Sequence, residues 1–312
     1  MSEEMNAVRI HEFGGPDVLQ YETAPQPEPA ADEVLVRVHA AGVNRVDTAV
    51  REGNFGEIPF PWIPGWDLSG TVEAVGADVT EFEEDSAVYG LVGFPEPGNA
   101  DAEYAAVPAD EIVEKPETLD HTEAAGVPMV ALTAWQALFD KGELSEDQRV
   151  LIHAAAGGVG HIAVQLAKSQ GAHVIGTASG YNELFLRDLG ADEFVNYRET
   201  SFEEELDDID LVVDAIGGDT REHSYEVLTE GGILAALVGE ISDEQAEEYS
   251  VHARRVGVRP DAAILSEISE LIDAGEVEPT ISTTLPLADA PEAHEQIEEG
   301  HTRGKIVLHT GD

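Results

Sequence analysis

The chain of 312 residues carries 64 acidic and 16 basic side chains, a formal charge of −48, and 42% of its residues are apolar. Because acidic residues recur between segments of ordinary apolar patterning, this composition excludes a disordered acidic chain, and it disfavours nucleic acid and anionic membranes as partners. A surface charge of one sign repels itself and is screened by concentrated salt, so we expect a halophilic protein.

Two absences narrow the class of protein further. No cysteine is present, which excludes disulfides, thiolate nucleophiles and thiolate metal sites. The segment Met1–Arg9 contains no apolar run, and no later segment has the roughly 18 apolar residues of a membrane span. We therefore expect a cytoplasmic protein, in a cytoplasm of high salt.

The first part of the chain, up to about Pro116, is predicted to be mostly β-structure. Apolar and polar residues alternate in short segments that are separated by Gly- and Pro-rich turns, as in strands with one buried face. The predicted strands are Val34–His39, Gly70–Val75, Ala87–Val92 and Glu103–Val107.

A helical period begins at Thr122–Phe139, and from Val150 onward strands and helices alternate. The predicted strands are Val150–Ala155, His173–Ala178, Phe194–Tyr197, Leu211–Ala215 and Ile233–Val238. The predicted helices between them are Val159–Gln170, Glu183–Leu189 and Thr220–Leu228. This alternation indicates a parallel sheet with helices on both faces, as in a dinucleotide-binding domain.

The last block contains too little structure for an independent core. It is predicted to form helices at Asp261–Ala274 and Ala288–Glu299 and a strand at Lys305–His309. We expect this block to pack back onto the first domain.

A glycine-rich turn carries the strongest functional signal. The segment Val150–Gly160 reads as a buried apolar strand that runs into small residues, and a helix follows. Small residues let the backbone approach a pyrophosphate, whose charge the helix N-terminus favours. The spacing Ala154-x-x-Gly157-x-x-Gly160 does not meet the first position of the usual G-x-G-x-x-G pattern, but the strand, turn, helix and second strand are those of a dinucleotide-binding unit. The predicted cofactor-binding residues of this turn are Ala156, Gly157, Gly158, Val159 and Gly160.

The residues after the second strand of this unit bear on the choice of cofactor. NAD-binding units usually place an acidic residue there to bind the ribose 2′-hydroxyl, and Thr177–Asn182 contains none. The small hydroxyl side chains of Thr177 and Ser179 leave room for a 2′-phosphate, which favours NADP. The nearest basic residues are Arg187 and Arg198.

Five segments, taken together, carry a family resemblance. They are Ala40–Asp47, Ile63–Gly70, Ala131–Ala137, Ala154–Gly160 and Gly300–Lys305. In this order they resemble the zinc-independent medium-chain dehydrogenase/reductases, the quinone oxidoreductase group, over nearly the whole chain. The resemblance implies an α/β fold, with a GroES-like, mostly β catalytic domain and a Rossmann domain built on a doubly wound parallel sheet.

The resemblance also implies a domain order. Residues 1–120 are expected to form the catalytic domain, residues 121–260 the dinucleotide-binding domain, and residues 261–312 a return to the catalytic domain. The active site is expected in the cleft between the two domains.

Zinc is not expected. Zinc-dependent members of the broader family have a cysteine where this chain has Asn44, and a His-Glu pair where it has Trp66 and Asp67. The four cysteines of their structural zinc site are absent as well, and the 11 histidines fall in no zinc-binding spacing. The cofactor must then supply the reactivity, and the expected reaction is hydride transfer from NADPH to a small-molecule electron acceptor, either a quinone or an activated C=C bond.

Two residues are candidates for catalysis by the resemblance. Asn44 is expected beside the nicotinamide and the substrate, where its amide can donate to the negative charge that develops on an enone oxygen. Thr133 is expected near the nicotinamide ribose or carboxamide. The alternatives are that Asn44 caps a turn and that Thr133 packs a helix. Asp47 is expected to order the turn rather than to act as an acid or base.

Aromatic residues are candidates for the wall of a substrate pocket. They are Phe55, Trp62 and Trp66, and the alternative is that they belong to the core. Quinone reductases of this group commonly have tyrosines after the Asn-x-x-Asp stretch, whereas this chain has Ala49 and Phe55. Quinones and enones or enals therefore both remain open as substrates.

Further cofactor contacts are expected by position in the family, after later strands of the dinucleotide domain and at a C-terminal lysine. They are Tyr197, Ile216, Gly217, Val238, Gly239 and Lys305. Relatives commonly form dimers, so a homodimer is expected. Two other functions stay open: a non-catalytic NADP-binding redox sensor and a zinc-free alcohol dehydrogenase.

Overall fold

A computed structural model describes residues 3–55 and 58–311 of the chain. The chain divides into two compact units. The first contains the residues up to 129, residues 259–274 and those from 279 onward, and the second contains residues 130–258 and 275–278. The sequence predicts divisions after residues 120 and 260, and the structure has them after residues 129 and 258. Among the described residues, no helix has the length and apolar character needed to cross a bilayer.

Fifteen strands and ten α-helices are found in the described part of the chain. The strands are β1 (Glu4–Arg9), β2 (Gln20–Pro25), β3 (Glu33–Val43), β4 (Asp67–Val75), β5 (Ala87–Leu91), β6 (Tyr104–Pro108), β7 (Ile112–Glu114), β8 (Arg149–Ile152), β9 (His173–Ala178), β10 (Glu193–Asn196), β11 (Ile209–Asp214), β12 (Leu228–Ala236), β13 (His252–Arg255), β14 (Ile281–Pro286) and β15 (Lys305–His309). The helices are α1 (Arg45–Arg51), α2 (His121–Ala125), α3 (Pro128–Trp135), α4 (Gly158–Ser169), α5 (Glu183–Asp188), α6 (Phe202–Glu205), α7 (Asp219–Val227), α8 (Asp243–Glu248), α9 (Ala262–Asp273) and α10 (Ala290–Glu299).

The first unit is built on a mostly antiparallel sheet. Its strand order is β14-β15-β3-β4-β5-β7, β6 also pairs with β3, and β1 and β2 form a separate antiparallel pair. Alternate residues of β3, namely Val34, Val36 and Val38, are buried in one core, as the period of two in a strand requires. The C-terminal strand β15 lies beside β3, with Ile306 opposite Val43, so the two ends of the chain share one sheet.

The second unit is a doubly wound parallel sheet. The strand order is β10-β9-β8-β11-β12-β13, and every neighbouring pair is parallel. The order reverses between β8 and β11, which makes the carboxyl edge of the sheet at these two strands the topological switch point where such folds bind dinucleotides. A mostly β unit beside a doubly wound parallel-sheet unit is the α/β fold class that the sequence predicts.

Some elements differ from the sequence prediction. The single helix predicted at Thr122–Phe139 is divided into α2, α3 and a π-helical segment, Gln136–Lys141. Gly126 and Pro128 lie at the break, and proline lacks the N–H group that a continuous helix needs. The elements α1, β13 and β14 are not among the predicted ones, because their segments contain few buried apolar residues and so show no clear period.

Candidate functional site

The carboxyl edge of the six-stranded sheet brings together most of the residues that the sequence assigns to the cofactor. The glycine turn follows β8, Ser179 follows β9 and Tyr197 follows β10. Ile216 comes after β11 and Val238 after β12. Because the strands are parallel, all five positions lie at the same edge.

The glycine turn has the geometry of a phosphate site. Gly157 is the N-cap of α4, a helix of 12 residues, and no side chain caps this end. The first N–H groups of a helix have no partner within the helix, and they carry the positive end of its dipole. A Cβ on Gly157 would meet only the carbonyl oxygen of Ala154, at 3.3 Å, so the turn is open on its other sides. The residues present therefore fit a pyrophosphate.

Two further positions in the turn explain its small residues. Ala154 has φ 51°, in the left-handed region that glycine adopts most easily, and a small side chain is the next best tolerated there. A Cβ on Gly160 would lie 2.4 Å from the carbonyl oxygen of Ala154, so only glycine allows α4 to pack this closely on the strand.

Thr177 is hydrogen-bonded to the backbone of the glycine turn. Its backbone carbonyl accepts from the N–H of Ala155, and its hydroxyl lies 3.0 Å from Nδ1 of His153. Burial lowers the pKa of His153 to about 4, so the imidazole is neutral. Ser224 donates its only hydroxyl hydrogen to the carbonyl of Thr220 and can only accept from Nε2 of His153, 3.0 Å away.

It follows that Nδ1 of His153 accepts the hydroxyl hydrogen of Thr177. The hydroxyl hydrogen of Thr177 is thus directed to His153, and the contact of Thr177 with the cofactor stays a prediction. Ser179 is also buried, at the N-terminus of a short 3₁₀ turn, where its carbonyl accepts from the N–H of Asn182.

Three large apolar side chains at this edge face solvent. Tyr197, Ile216 and Val238 expose 54%, 52% and 40% of their surface. Gly217 and Gly239 follow Ile216 and Val238 with φ of 75° and 66°, which bends the backbone after each strand. An exposed apolar group beside an open phosphate site is typical of a surface that a ligand covers.

In the first unit, Asn44 lies in a buried polar cluster. It is the N-cap of α1, and its backbone N–H donates to Oδ2 of Asp47 at 2.5 Å. Its Nδ2 donates to Oδ2 of Asp67 at 2.9 Å and to the carbonyl of Gly42 at 3.3 Å, and its Oδ1 accepts from Nζ of Lys305. Because lysine only donates and a carboxylate only accepts, these partners decide which way the amide points.

Lys305 and Asp67 complete this cluster. Nζ of Lys305 also donates to the carbonyl of Val43 at 2.7 Å and lies 3.7 Å from Oδ2 of Asp67. Oδ1 of Asp67 accepts from the N–H of Met129 at 2.8 Å. The sequence assigns Lys305 to the cofactor, whereas the structure engages its ammonium group with Asn44 and the end of β3.

The charges of the cluster are governed by burial. Burial raises the pKa of Asp67, and the ammonium group of Lys305 opposes this; burial lowers the pKa of Lys305, and the carboxylates of Asp67 and Asp47 oppose that. The pKa of Asp47 is raised well above its usual value by burial and by the neighbouring Asp101. Burial raises the pKa of Asp101 to about 7. Oδ1 of Asp47 has no hydrogen-bond partner within residues 3–55 and 58–311, so no donor there offsets the cost of burying a charge on this atom.

The three aromatic residues predicted to line a substrate pocket differ in burial. Trp62 and Trp66 expose 3% and 1% of their surface, their rings lie 5.7 Å apart, and Nε1 of Trp66 donates to the carbonyl of Glu96. This placement favours the core alternative for both tryptophans. Phe55 is exposed, and its ring lies 5.9 Å from that of Phe94. Thr133 is half-buried in α3.

No set of three histidine or acidic side chains in the described residues is arranged to hold a metal ion. The charged residues that sequence reasoning missed are Asp67, Asp214 and Arg221, which take part in buried ion pairs. A signal for two of them was present, because Asp67 and Asp214 stand at the ends of apolar strands, where a charge is unusual.

The chain is similar to known dehydrogenases and oxidoreductases, both in its domains and over nearly its whole length. A model of the alcohol dehydrogenase GroES-like domain matches residues 30–117, and a model of zinc-binding dehydrogenases matches residues 189–308. Mitochondrial NAD(P)H oxidoreductase RTN4IP1 of Danio rerio is 33% identical over 97% of this chain and 91% of that protein. Quinone oxidoreductase of Mus musculus is 31% identical over 97% of each chain. NADPH-dependent alkenal/one oxidoreductase of Arabidopsis thaliana, a chloroplast protein, is 33% identical over 98% of this chain and 80% of that protein.

Solved structures agree with these relatives. Quinone oxidoreductase from Coxiella burnetii superposes with a TM-score of 0.93 at 36% identity, over 99% of this chain and 100% of the other. Escherichia coli quinone oxidoreductase in complex with NADPH gives 0.90 at 28% identity, over 97% and 99% of the two chains. An NAD-dependent alcohol dehydrogenase gives 0.91 at 32% identity, over 98% and 100%.

Proposed function

Because the chain belongs to the medium-chain dehydrogenase/reductase family, in its quinone oxidoreductase group, we propose that it is an NADPH-dependent reductase. The proposed reaction transfers a hydride from NADPH to a quinone or to the C=C bond of an α,β-unsaturated carbonyl compound, without a metal ion, and solvent supplies the proton that completes the reduction. The observation that carries the proposal is the open, uncapped N-terminus of α4 at the switch point of the parallel sheet, beside the exposed side chains of Tyr197, Ile216 and Val238.

The edge around β9 and β10 supports NADPH over NADH. No acidic residue follows β9 in Thr177–Asn182, where an NAD site would place one. Arg198, which follows Tyr197, is exposed, and its guanidinium group lies 5.8 Å from the centre of the Tyr197 ring. Glu183, the nearest acid after β9, is paired with Arg187 at 3.0 Å, which reduces its repulsion of a 2′-phosphate.

When bound, NADPH would supply the hydride, and the protein's contribution is to bind, orient and stabilise charge. The N-terminus of α4 would hold the pyrophosphate. In the first unit Lys305 and Asp67 hold the amide of Asn44 from opposite ends. Of the two hydrogen bonds that Nδ2 of Asn44 donates, the one to the carbonyl of Gly42 is the longer, at 3.3 Å, and so the weaker. We propose that this N–H group donates instead to the oxygen of the electron acceptor, where negative charge develops during the reaction.

The relatives favour electron-poor acceptors, since two of them are a quinone oxidoreductase and an alkenal/one oxidoreductase. Alcohol oxidation is the second candidate, because an alcohol dehydrogenase is among the similar structures. It requires a base or a Lewis acid to remove a proton.

The test is oxidation of NADPH in molar salt with 1,4-benzoquinone, a 2-alkenal and an enone, beside reduction of NADP by simple alcohols. We expect turnover with at least one electron-poor acceptor and little with alcohols. Good turnover of alcohols would refute the reaction class. Tight NADPH binding with no turnover of any acceptor would instead indicate a cofactor-binding redox sensor.

A further inference from the structure

A buried ion pair lies directly behind the exposed edge of the second unit. Nε of Arg221, on α7, donates to Oδ2 of Asp214, the last residue of β11, at 2.6 Å. Asp214 has no exposed surface and Arg221 exposes 6% of its own. The pyrophosphate turn follows a different strand, β8, and the reaction proposed above does not use this ion pair.

Both charges are satisfied by the backbone of two loops. Oδ1 of Asp214 accepts from the N–H groups of Ile216 and Gly217, at 2.9 and 2.8 Å. The guanidinium group of Arg221 donates through Nη1 to the carbonyl of Glu240, at 2.5 Å, and through Nη2 to that of Val238. One ion pair therefore makes four hydrogen bonds to backbone, two in the loop after β11 and two in the loop after β12.

The loops need such a support because their own conformations are unusual. Gly217, Gly218 and Gly239 all have positive φ, at 75°, 55° and 66°. A Cβ on Gly217 or on Gly239 would lie 3.4 Å from a nitrogen of Arg221, so the loops close tightly around the guanidinium group. Buried charges are costly unless they are paired and hydrogen-bonded, so the pair is stable only with both loops in this arrangement.

The two loops carry the exposed side chains of Ile216 and Val238. In a doubly wound sheet of this order, the first three strands bind one mononucleotide half and the last three bind the other. The residues that choose between NAD and NADP follow β9, in the first half, so the adenosine half of the cofactor belongs there. The loops after β11 and β12 then belong to the nicotinamide half.

We propose that the Asp214–Arg221 ion pair is a positioning device for the nicotinamide half of the cofactor site, which aligns the loops after β11 and β12 through their backbone groups. The inference rests on the proposed function, because it takes NADPH as the ligand. Arg221 is a positioning residue, which acts through Val238 and Glu240 rather than by touching the substrate.

The test compares two ligands in titrations at fixed high salt. NADPH spans both halves of the site, whereas adenosine 2′,5′-bisphosphate occupies only the adenosine half. For Arg221→Met we expect NADPH affinity to fall roughly tenfold or more, since charge-assisted hydrogen bonds are lost, and the affinity for the bisphosphate to stay within about twofold. Arg221→Lys keeps the positive charge but not the planar set of guanidinium donors. Its NADPH affinity should therefore lie between that of the wild type and that of Arg221→Met.

Arg254→Met is the matched control. Arg254, on β13, also joins a carboxylate and a carbonyl, those of Glu143 and Lys141, but it is outside both loops. We expect wild-type affinity for both ligands in this variant.

The possible results separate the two proposals. Equal NADPH affinity in wild type and Arg221→Met, or an equal loss for both ligands, would overturn the inference alone. If Arg221→Met does not fold, Arg221→Lys decides, and unfolding of both variants would assign the pair to stability and overturn its positioning role. Failure of the wild type to bind NADPH would overturn the proposed function and this inference with it.

Discussion

Lys305 donates a hydrogen bond to the side-chain oxygen of Asn44, although 261 residues separate them in the chain. The contact exists because β15 pairs antiparallel with β3. This pairing places Lys305, the first residue of β15, beside Asn44, which lies between the end of β3 and the start of α1. Asn44, Lys305 and Asp67 therefore form one buried cluster, although Lys305 is far from the other two residues in the sequence.

We predict that Asn44 and Lys305 contribute to stability as a pair. Lys305→Met leaves the buried carboxylate of Asp67 without its cation and should cost about 3–5 kcal/mol. Asn44→Ala removes hydrogen bonds to both charged groups and should cost about 1–3 kcal/mol. Chemical unfolding of the double variant should show a loss smaller than the sum, with a coupling energy of about 1 kcal/mol or more.

Lys168→Met is the control for this cycle. Lys168 pairs with Asp192 at 2.8 Å, but its side chain is 42% exposed. Its loss should cost less than about 1 kcal/mol. Strictly additive effects of Asn44→Ala and Lys305→Met would show that the two side chains do not act as a unit.

Asp101 should make stability depend on pH. Its pKa in the folded protein is about 7, above the ordinary value of 3.8, so the folded state holds a proton that the unfolded state has released. The stabilisation is complete below about pH 4 and is lost as the pH rises through 7, by at most about 4 kcal/mol. Asp101→Asn should therefore gain stability relative to wild type as the pH rises from 4 to 8.

Unfolding free energies measured across this pH range provide the check. Asp78→Asn, at an exposed position, controls for the removal of one negative charge. A difference between Asp101→Asn and wild type that stays constant from pH 4 to pH 8 would contradict the assignment of the proton to Asp101.

The cofactor preference is testable at Arg198. We expect NADPH to bind more tightly than NADH, and Arg198→Ala to lower the affinity for NADPH roughly tenfold while that for NADH changes little. Arg187→Ala is the comparison, because Arg187 lies on α5 and forms an ion pair with Glu183. Equal affinities of the wild type for the two cofactors would remove the inference drawn from Thr177–Asn182.

Salt should be needed for folding, because the formal charge of −48 repels itself in dilute buffer. Circular dichroism during dialysis from molar salt to low ionic strength should show unfolding or aggregation. Equal melting temperatures at both salt concentrations would refute the halophilic prediction.

Metal independence is the last prediction, and it rests on Asn44 and Trp66 at positions where zinc-dependent relatives have ligands. Treatment with a chelator should leave the rate of NADPH oxidation unchanged, and elemental analysis should find no stoichiometric zinc. Activity that returned only with added zinc would refute it.

Local pattern was sufficient for the dinucleotide-binding unit. The apolar strand β8, the small residues of the turn and the helix α4 are neighbours in sequence, so their geometry follows from short-range preferences. The break at Gly126 and Pro128 was also local and could have been read from the chain. The alternation of strands and helices indicated the parallel sheet, since this is the arrangement that buries both kinds of element.

The tertiary structure decided which side chains meet. Nothing near Lys305 in sequence indicates Asn44 as its partner, because their contact depends on the pairing of β15 with β3. Likewise, the aromatic character of Trp66 does not tell whether it faces a ligand or the core, and only the packing of Trp62 and Phe94 against it buries the ring. The free energy of a buried charge or ring depends on what surrounds it in space, and those surroundings come from segments that are distant in the chain.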